Sequence, residues 1–519
     1  MPTFRLPLAR RTALGAMAAA CSLAAVAGCT DLTEVPRDAL TTENAFKNDA
    51  EILAGSASVY AQLRQAQWAN YNLSEVSSDA QIVPTRGTDW FDNGRWLEIY
   101  RHTWTSNSTS ALDDLNRQWN DMFNGVAKAN LMIDVVQKSS SPNKDANLAE
   151  LRVLRAWFYY LLMDFFGGVP VVTTTEAQPV ARASRDSVFK FVEAELKASR
   201  AALPLQGATQ YGRVTKHVAD AILANLYLNA PVFQGTVTTS GLTRAPGRWQ
   251  EAINHADSVI NSGKFNLEPD IRNNFTPTNE ASKENIFVVV NAAVAGLGMS
   301  IPQRALHYNS IGIGAWNGFS VLTDVYRSFD PVDQRRSVFL VGPQRSFTTG
   351  QAITTRAGAP LVIVDTIANP SAANEDEGVR LNKFTPAPQV PDGDSHPNDF
   401  PFFRLAEMYM IKAEALNELN RTGEAIALLN STIRARAFAT TPRPIAAGLS
   451  QAAARQAILN ERLYEFTGEA KRRQDLIRIG GYTAPRRFKP NASEPFRVLF
   501  PIPTTQLQSN PLLVQNPGY

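Results

Sequence analysis

The chain has two cysteines in 519 residues, and both fall among its first thirty, so whatever folds after them holds together without a disulfide. Cys21 lies in an apolar, alanine-rich run from Ala13 to Ala27. Arg5, Arg10 and Arg11 precede the run, and Val26-Ala27-Gly28-Cys29 closes it. A basic start, a short apolar stretch and small residues at the cut describe an export signal. A cysteine at the first position after the cut describes a signal whose thiol takes a thioether-linked lipid. The reading divides the chain into a lipoprotein signal peptide (1–28), a lipidated tether (29–45) and a body (46–519). Burial of acyl chains contributes about 0.8 kcal/mol per methylene, so stable anchoring at Cys29 takes two or three chains. The twin arginine in Ala9-Arg10-Arg11-Thr12 has neighbours that fit twin-arginine export poorly, which favours export of an unfolded chain.

With Cys21 removed and Cys29 lipidated, no thiol is left for catalysis, metal binding or redox switching. A body of this length buries a core large enough to need no disulfide. The formal charge of +3 also belongs to the signal, which carries three arginines and no acid. From residue 29 onward there are 48 basic and 48 acidic residues. That balance gives no reason to expect a nucleic-acid partner. After residue 28 no apolar run approaches the roughly 18 residues of a membrane span.

Helical periodicity dominates the body. Helices are predicted over 49–64, 117–138, 147–166, 184–203, 216–230 and 249–261. In the third, Leu151, Leu154, Phe158, Leu161, Leu162 and Phe165 recur at helical spacing, and Gly167-Gly168-Val169-Pro170 ends it. Residues 404–419 and 423–437 form a helix pair around a tight Asn420-Arg421-Thr422-Gly423 turn, and a last helix is expected over 449–479. Small residues such as Ala219, Ala221 and Ala224 allow close packing in the tetratricopeptide style of helix pair. Residues 265–400 differ: they are rich in Gly, Pro, Asn and Thr, with short β-like runs at 286–290 and 361–364. The fold class read from this is mainly α, built on tetratricopeptide-like helix pairs with a loop-rich, partly β insertion.

The late part of the chain, from about 455 to 519, resembles the SusD/RagB family of outer-membrane nutrient-binding lipoproteins. The resemblance rests on Glu461-Arg462-Leu463-Tyr464-Glu465-Phe466-Thr467-Gly468, the basic cluster at Lys471-Arg472 before Asp475-Leu476, and Pro501-Ile502-Pro503 with Asn516-Pro517-Gly518-Tyr519. Arg404 to Tyr409, Leu154 to Pro170 and Cys29-Thr30-Asp31-Leu32 add further blocks in family order. The resemblance implies a binding protein rather than an enzyme. It implies a lipid-anchored body on the outer membrane, facing the cell exterior, that delivers oligosaccharides, or in some members peptides, to a TonB-dependent (SusC-like) transporter. A helical-repeat scaffold that binds only protein is the remaining non-catalytic alternative.

The residues themselves carry no catalytic motif. HExxH, GxSxG and Walker patterns are absent, and no cofactor is expected. Gly312 to Gly318 is glycine-rich but is not GxGxxG. Pro391 to Asp399 departs from the EF-hand spacing, so no metal site is assigned and a polar loop is expected. Asp113-Asp114 reads as a solvated helix start. The charges of the 461–475 segment read as ion pairs bridging to the C-terminal extension. Trp119, Trp157 and Trp249 lie in helical patterns and read as core. Trp90, Phe91, Trp96, Tyr100 and Trp104 lie in a polar stretch, and Tyr308 and Trp316 in a glycine-rich one. Exposed flat rings offer sugars an apolar face, and nearby polar groups bond the hydroxyls. The candidate ligand-binding residues are therefore Trp96 and Trp316, followed by Trp90, Tyr308, Arg86 and Asn93.

Overall fold

The computed structural model describes residue 46 and residues 48–519 apart from 109, 177 and 208–210. The signal peptide, Cys29 and the tether expected over 1–45 lie outside the described residues. Helices form a continuous packed series. Helix α1 (Asp49–Val76) is capped by Asn48, whose side chain accepts from the Glu51 amide. A short helix α2 (Arg95–Arg101) follows, then α3 (Leu112–Lys138) and α4 (Lys144–Phe166), joined by a loop too short for anything but an antiparallel pair. The series continues through α5 (Arg185–Ser199), α6 (Lys216–Leu228), α7 (Trp249–Ile260), α8 (Leu405–Glu418), α9 (Thr422–Ser431), α10 (Gln451–Phe466) and α11 (Arg472–Ile479). Helix α3 packs on both α1 and α4, α4 on α5, α6 on α7, and α8 on α7, α9 and α10. This is the mainly helical, paired architecture expected. Among the described residues no helix is long and apolar enough to cross a membrane.

The boundaries depart from the predicted ones for identifiable reasons. Helix α1 runs past Arg64 to Val76 because polar residues that break the apolar period, Gln67, Asn70 and Asn72, are buried. Asn72 donates to Asp114 and accepts from Arg304. Helix α3 begins at Leu112, and Asp114, expected in solvent, is fully buried and paired with Arg95 at 2.6 Å. The expected helix over 449–479 is two. Thr467 to Lys471 separate α10 from α11, with Gly468 and Ala470 at positive φ, and Lys383 donates to the carbonyls of Glu465 and Thr467. The helix expected over 423–437 is likewise broken, at Thr432.

Between α7 and α8 the chain is loop-rich, as predicted. Strand β1 (Asn285–Val289) pairs antiparallel with β2 (Phe400–Arg404), Phe400 opposite Val289, and both strands are buried along their length. Every sheet among the described residues has two strands, and the run at 361–364 contributes only Val362–Ile363. The region is not a separate body: Phe287, Phe319, Val379 and Phe400 share one hydrophobic core with Leu154, Phe158 and Leu226. Trp119 and Trp157 are buried in that core, and Trp249 is half-buried against it.

A buried charge network joins α10 and α11 to the loop-rich region and α8. Arg404 donates to Glu284 and Glu465 at 2.6 Å and to Glu469 at 2.8 Å. Arg335 pairs with Asp333 and Glu461 at 2.7 Å and with Glu465 at 3.1 Å. Arg462 reaches Asp475 at 2.9 Å, and Arg478 reaches Glu414 at 2.5 Å. The ion pairs expected to bridge to the C-terminal extension thus run mainly to the loop-rich region and α8. Arg473 is the member that reaches the extension, at the Val498 carbonyl. Burial alone raises the Glu465 carboxyl, but Arg436, Arg404 and Arg335 outweigh it and hold the group well below the usual carboxylate range.

Candidate functional site

The loop between α1 and α2 makes a tight turn in which Arg86 and Asp89 exchange backbone hydrogen bonds. Trp90, Asp92 and Asn93 then adopt positive φ before Gly94. Three non-glycine residues in that region are strained and persist only where the surroundings hold them. Here the Trp90 indole donates to the Trp316 carbonyl at 2.6 Å, the Asp92 carboxylate accepts from the Trp96 indole at 2.6 Å, and the Asn93 carbonyl accepts from the Ser110 hydroxyl at 2.9 Å. The second loop is pinned by its backbone: the amides of Trp316, Asn317 and Gly318 donate to Gln303, Leu306 and Arg304, each at 2.8 Å. Gly318 admits the Trp90 ring, since a Cβ there would stand 2.3 Å from Trp90 Cε2.

These loops and α1, α2 and α3 enclose a cleft of about 690 Å³. Trp90, Trp96 and Trp316 cluster in its lining, with Trp90–Trp96 centroids 5.5 Å apart and Trp90–Trp316 centroids 6.5 Å apart. Trp68 from α1 also lines it, with Arg117, Asp113, Asn120 and Asp121 of α3 and with Arg95, whose guanidinium lies over the Trp96 ring at 4.7 Å. Asp121 Oδ2 is buried with no hydrogen-bond partner among the described residues, and burial pushes its carboxyl up against the pull of Arg117. Arg304 lies over the Trp68 ring at 3.5 Å and donates to Ser300 Oγ and Asn72 Oδ1. The arrangement sets indoles among carboxylates, an amide and guanidinium groups, which suits a ligand with flat apolar faces and a rim of hydroxyls.

The six predicted residues divide. Trp90, Trp96 and Trp316 meet in the cleft. Trp96 is only 4% exposed, however, because the polar stretch folds into α2 and turns Trp96, Leu97, Ile99 and Tyr100 inward. Asn93 is exposed outside the cleft lining, and its carbonyl anchors Ser110. Arg86 is buried and committed to the loops: it donates to the carbonyls of Asn317, Asn374 and Glu377 and to Ser320 Oγ. Tyr308 does not line the cleft. Its hydroxyl donates to Asp89 at 2.5 Å and its ring carries the Arg356 guanidinium at 3.4 Å; burial and Asp89 push the hydroxyl up to about 12. Trp104, grouped with the loop aromatics, is fully buried and donates to the Tyr519 hydroxyl. Sequence reasoning missed Trp68, Arg117 and Arg304. Trp68 was legible only if the α1 period was followed through its buried polar residues. Arg304 meets it from a short helix (Ile301–Ala305) more than 230 residues further along the chain and left no local signal.

A family model described as the SusD family matches residues 249–519, and another, described as starch-binding associating with outer membrane, matches residues 39–228. SusD-like protein P2 of Formosa agariphila is 26% identical, over 96% of this chain and 98% of that protein. The starch-binding protein SusD of Bacteroides thetaiotaomicron is 21% identical over 76% of each chain. Surface glycan-binding protein A from Bacteroides thetaiotaomicron, solved in complex with laminarihexaose, has the same fold. Its TM-score is 0.69 at 20% identity, over 90% of this chain and 99% of that one. With one model spanning residues 249–519 and relatives aligned along nearly the whole length, the chain belongs to the SusD/RagB family.

Proposed function

We propose that this protein binds nutrient oligosaccharides in the indole-lined cleft and delivers them, unaltered, to a TonB-dependent transporter of the SusC type. It does so from the outer face of the outer membrane, held by lipid on Cys29. The observation that carries the binding reading is the cleft itself: Trp90 and Trp316 stand half-buried beside the edge of Trp96, in a lining that also holds Asp113, Asn120 and Asp121. Indole faces stack on the C–H faces of pyranose rings while the carboxylates and the amide oxygen accept hydrogen bonds from the hydroxyls. The starch-binding and laminarihexaose-bound relatives support a glycan ligand, and the family model named for association with the outer membrane supports the location.

Calorimetry of the full chain in detergent, titrated with laminarin, starch and peptide mixtures, tests this reading. A saturable glycan isotherm that Trp316→Ala weakens by about tenfold or more is expected. Heat from peptides alone makes the protein a peptide-binding member, and a glycan isotherm indifferent to Trp316→Ala moves the site elsewhere. For the anchor, Cys29→Ser should leave the chain unlipidated and extractable without detergent. For the partner, a β-barrel transporter should co-purify with the tagged protein.

A further inference from the structure

The cleft does not end at Trp68. A second lobe of about 320 Å³ adjoins it, and the two lobes share Trp68, Arg117 and Arg304. Their electrostatics differ. In the first lobe Arg95 is neutralised by Asp114 at 2.6 Å, and Asp92, Asp113 and Asp121 also line the wall. The second lobe is lined by Arg64, Arg117 and Arg304, with Asp394 as its carboxylate. Arg64 donates to Asn291 Oδ1 and the Val290 carbonyl, and Arg304 to Ser300 Oγ and Asn72 Oδ1, all neutral acceptors. Arg117 is exposed, and none of the three forms an ion pair with a carboxylate among the described residues.

Arg304 is the unusual member. It is 3% exposed, borders both lobes, and keeps a buried positive charge with no carboxylate bonded to it. A buried guanidinium is costly unless paired. Its ring contact with Trp68 at 3.5 Å offsets part of that cost, and Arg117 stands 5.7 Å from the same ring centroid. Two guanidiniums therefore lie within 6 Å of one indole centroid, in a lining that both lobes share. Guanidinium forks match the oxygen geometry of carboxylates and sulfates.

Building on the glycan reading above, we infer that the ligand is an acidic oligosaccharide. Its neutral rings lie along the indoles of the first lobe, and a carboxylate or sulfate ester sits at the Arg117–Arg304 pair beside Trp68.

The test titrates the full chain in detergent with matched probes: laminarin oligosaccharides, the same oligosaccharides carrying sulfate esters, and the same oligosaccharides oxidised at C6 to uronates. Charged probes should bind about tenfold or more tighter than the neutral probe at low ionic strength, with the preference shrinking in added salt. The sulfate and uronate arms identify which anion is read. Arg117→Gln should narrow the charged-to-neutral ratio and Arg117→Lys should partly restore it. Arg117 is exposed, so neither variant threatens the fold. Neutral probes that bind as tightly as both charged ones, or a ratio unmoved by Arg117→Gln, overturn the inference while leaving the glycan reading intact. A chain that binds no saccharide, neutral or charged, overturns both.

Discussion

The indole nitrogen of Trp90 donates to the main-chain carbonyl of Trp316 at 2.6 Å, joining two loops that lie 226 residues apart in sequence. The bond sets one cleft wall, because the same Trp90 ring packs edge-on against Trp96 and Phe319. Its position depends on a missing atom. A Cβ at residue 318 would stand 2.3 Å from Trp90 Cε2 and 2.5 Å from Cζ2. Gly318→Ala is therefore expected to displace the indole, cost about 1–3 kcal/mol, and weaken glycan binding. Denaturant unfolding and calorimetry on the same preparation check this. A variant with wild-type affinity would show that Trp90 need not sit where the structure places it.

Tyr519 makes a second long-range tie that bears on stability and not on the ligand. Its hydroxyl donates to the Leu499 carbonyl and accepts from the Trp104 indole, both at 2.8 Å, with Trp104 fully buried. Tyr519→Phe removes one oxygen and leaves two buried polar groups unpaired. The expected cost is about 1–3 kcal/mol, seen as a lower midpoint in guanidinium unfolding, with glycan affinity unchanged because Trp104 lies outside the cleft.

These cases show what local pattern can and cannot reveal. The spacing of Leu151, Leu154, Phe158, Leu161 and Phe165 is an intrahelical property, and the helix it predicts forms as Lys144–Phe166. The indoles of the cleft were legible because glycine and asparagine around Trp90 and Trp316 marked loops. What escaped depends on partners far away. Arg86 read as a surface ligand because its acceptors, the carbonyls of Asn317 and Glu377, are 231 and 291 residues distant. The break after Phe466 is sustained by Lys383, which takes two carbonyls that a continuous helix would have used. Trp68 was lost for a related reason: Gln67, Asn70 and Asn72 look like a solvated helix end until Asp114 and Arg304 are brought against Asn72.

Arg404 holds three buried carboxylates at once, those of Glu284, Glu465 and Glu469. Arg404→Met keeps much of the side-chain volume and removes the charge. Removing one partner from a buried ion pair costs about 3–5 kcal/mol because the other charge stays behind. The expected result is a large loss of unfolding free energy at neutral pH that shrinks on acidification, as the uncompensated carboxylates take up protons. Urea unfolding at neutral and acidic pH measures it; an unchanged midpoint would mean that Arg335, Arg436 and Lys383, which also pair with these carboxylates, satisfy them without Arg404.

Glu75 gives a pH-dependent prediction with a definite sign. It is fully buried near the end of α1; one carboxylate oxygen accepts from the Ala470 amide at 2.7 Å and the other from Gln81 Nε2 at 2.9 Å. Burial pushes its carboxyl from 4.5 up to about 7, and the hydrogen bonds from Ala470 and Gln81 with the charge of Lys383 only partly oppose the rise. Below the unfolded value both states hold the proton and Glu75 contributes nothing to the pH dependence. Between 4.5 and about 7 the folded state keeps a proton that the unfolded chain has released, so stability falls as pH rises; above that both are ionised and the penalty is complete. Glu75→Gln keeps an acceptor for the Ala470 amide and cannot ionise. Relative to wild type it should gain stability from acid to mildly alkaline pH, by on the order of 3 kcal/mol in total. Asp399, pushed up to about 6 by its own burial, adds a similar trend to both proteins and cancels in the difference. Urea unfolding of the pair across this range decides the point: curves that stay parallel would show that Glu75 carries its charge in the folded protein throughout.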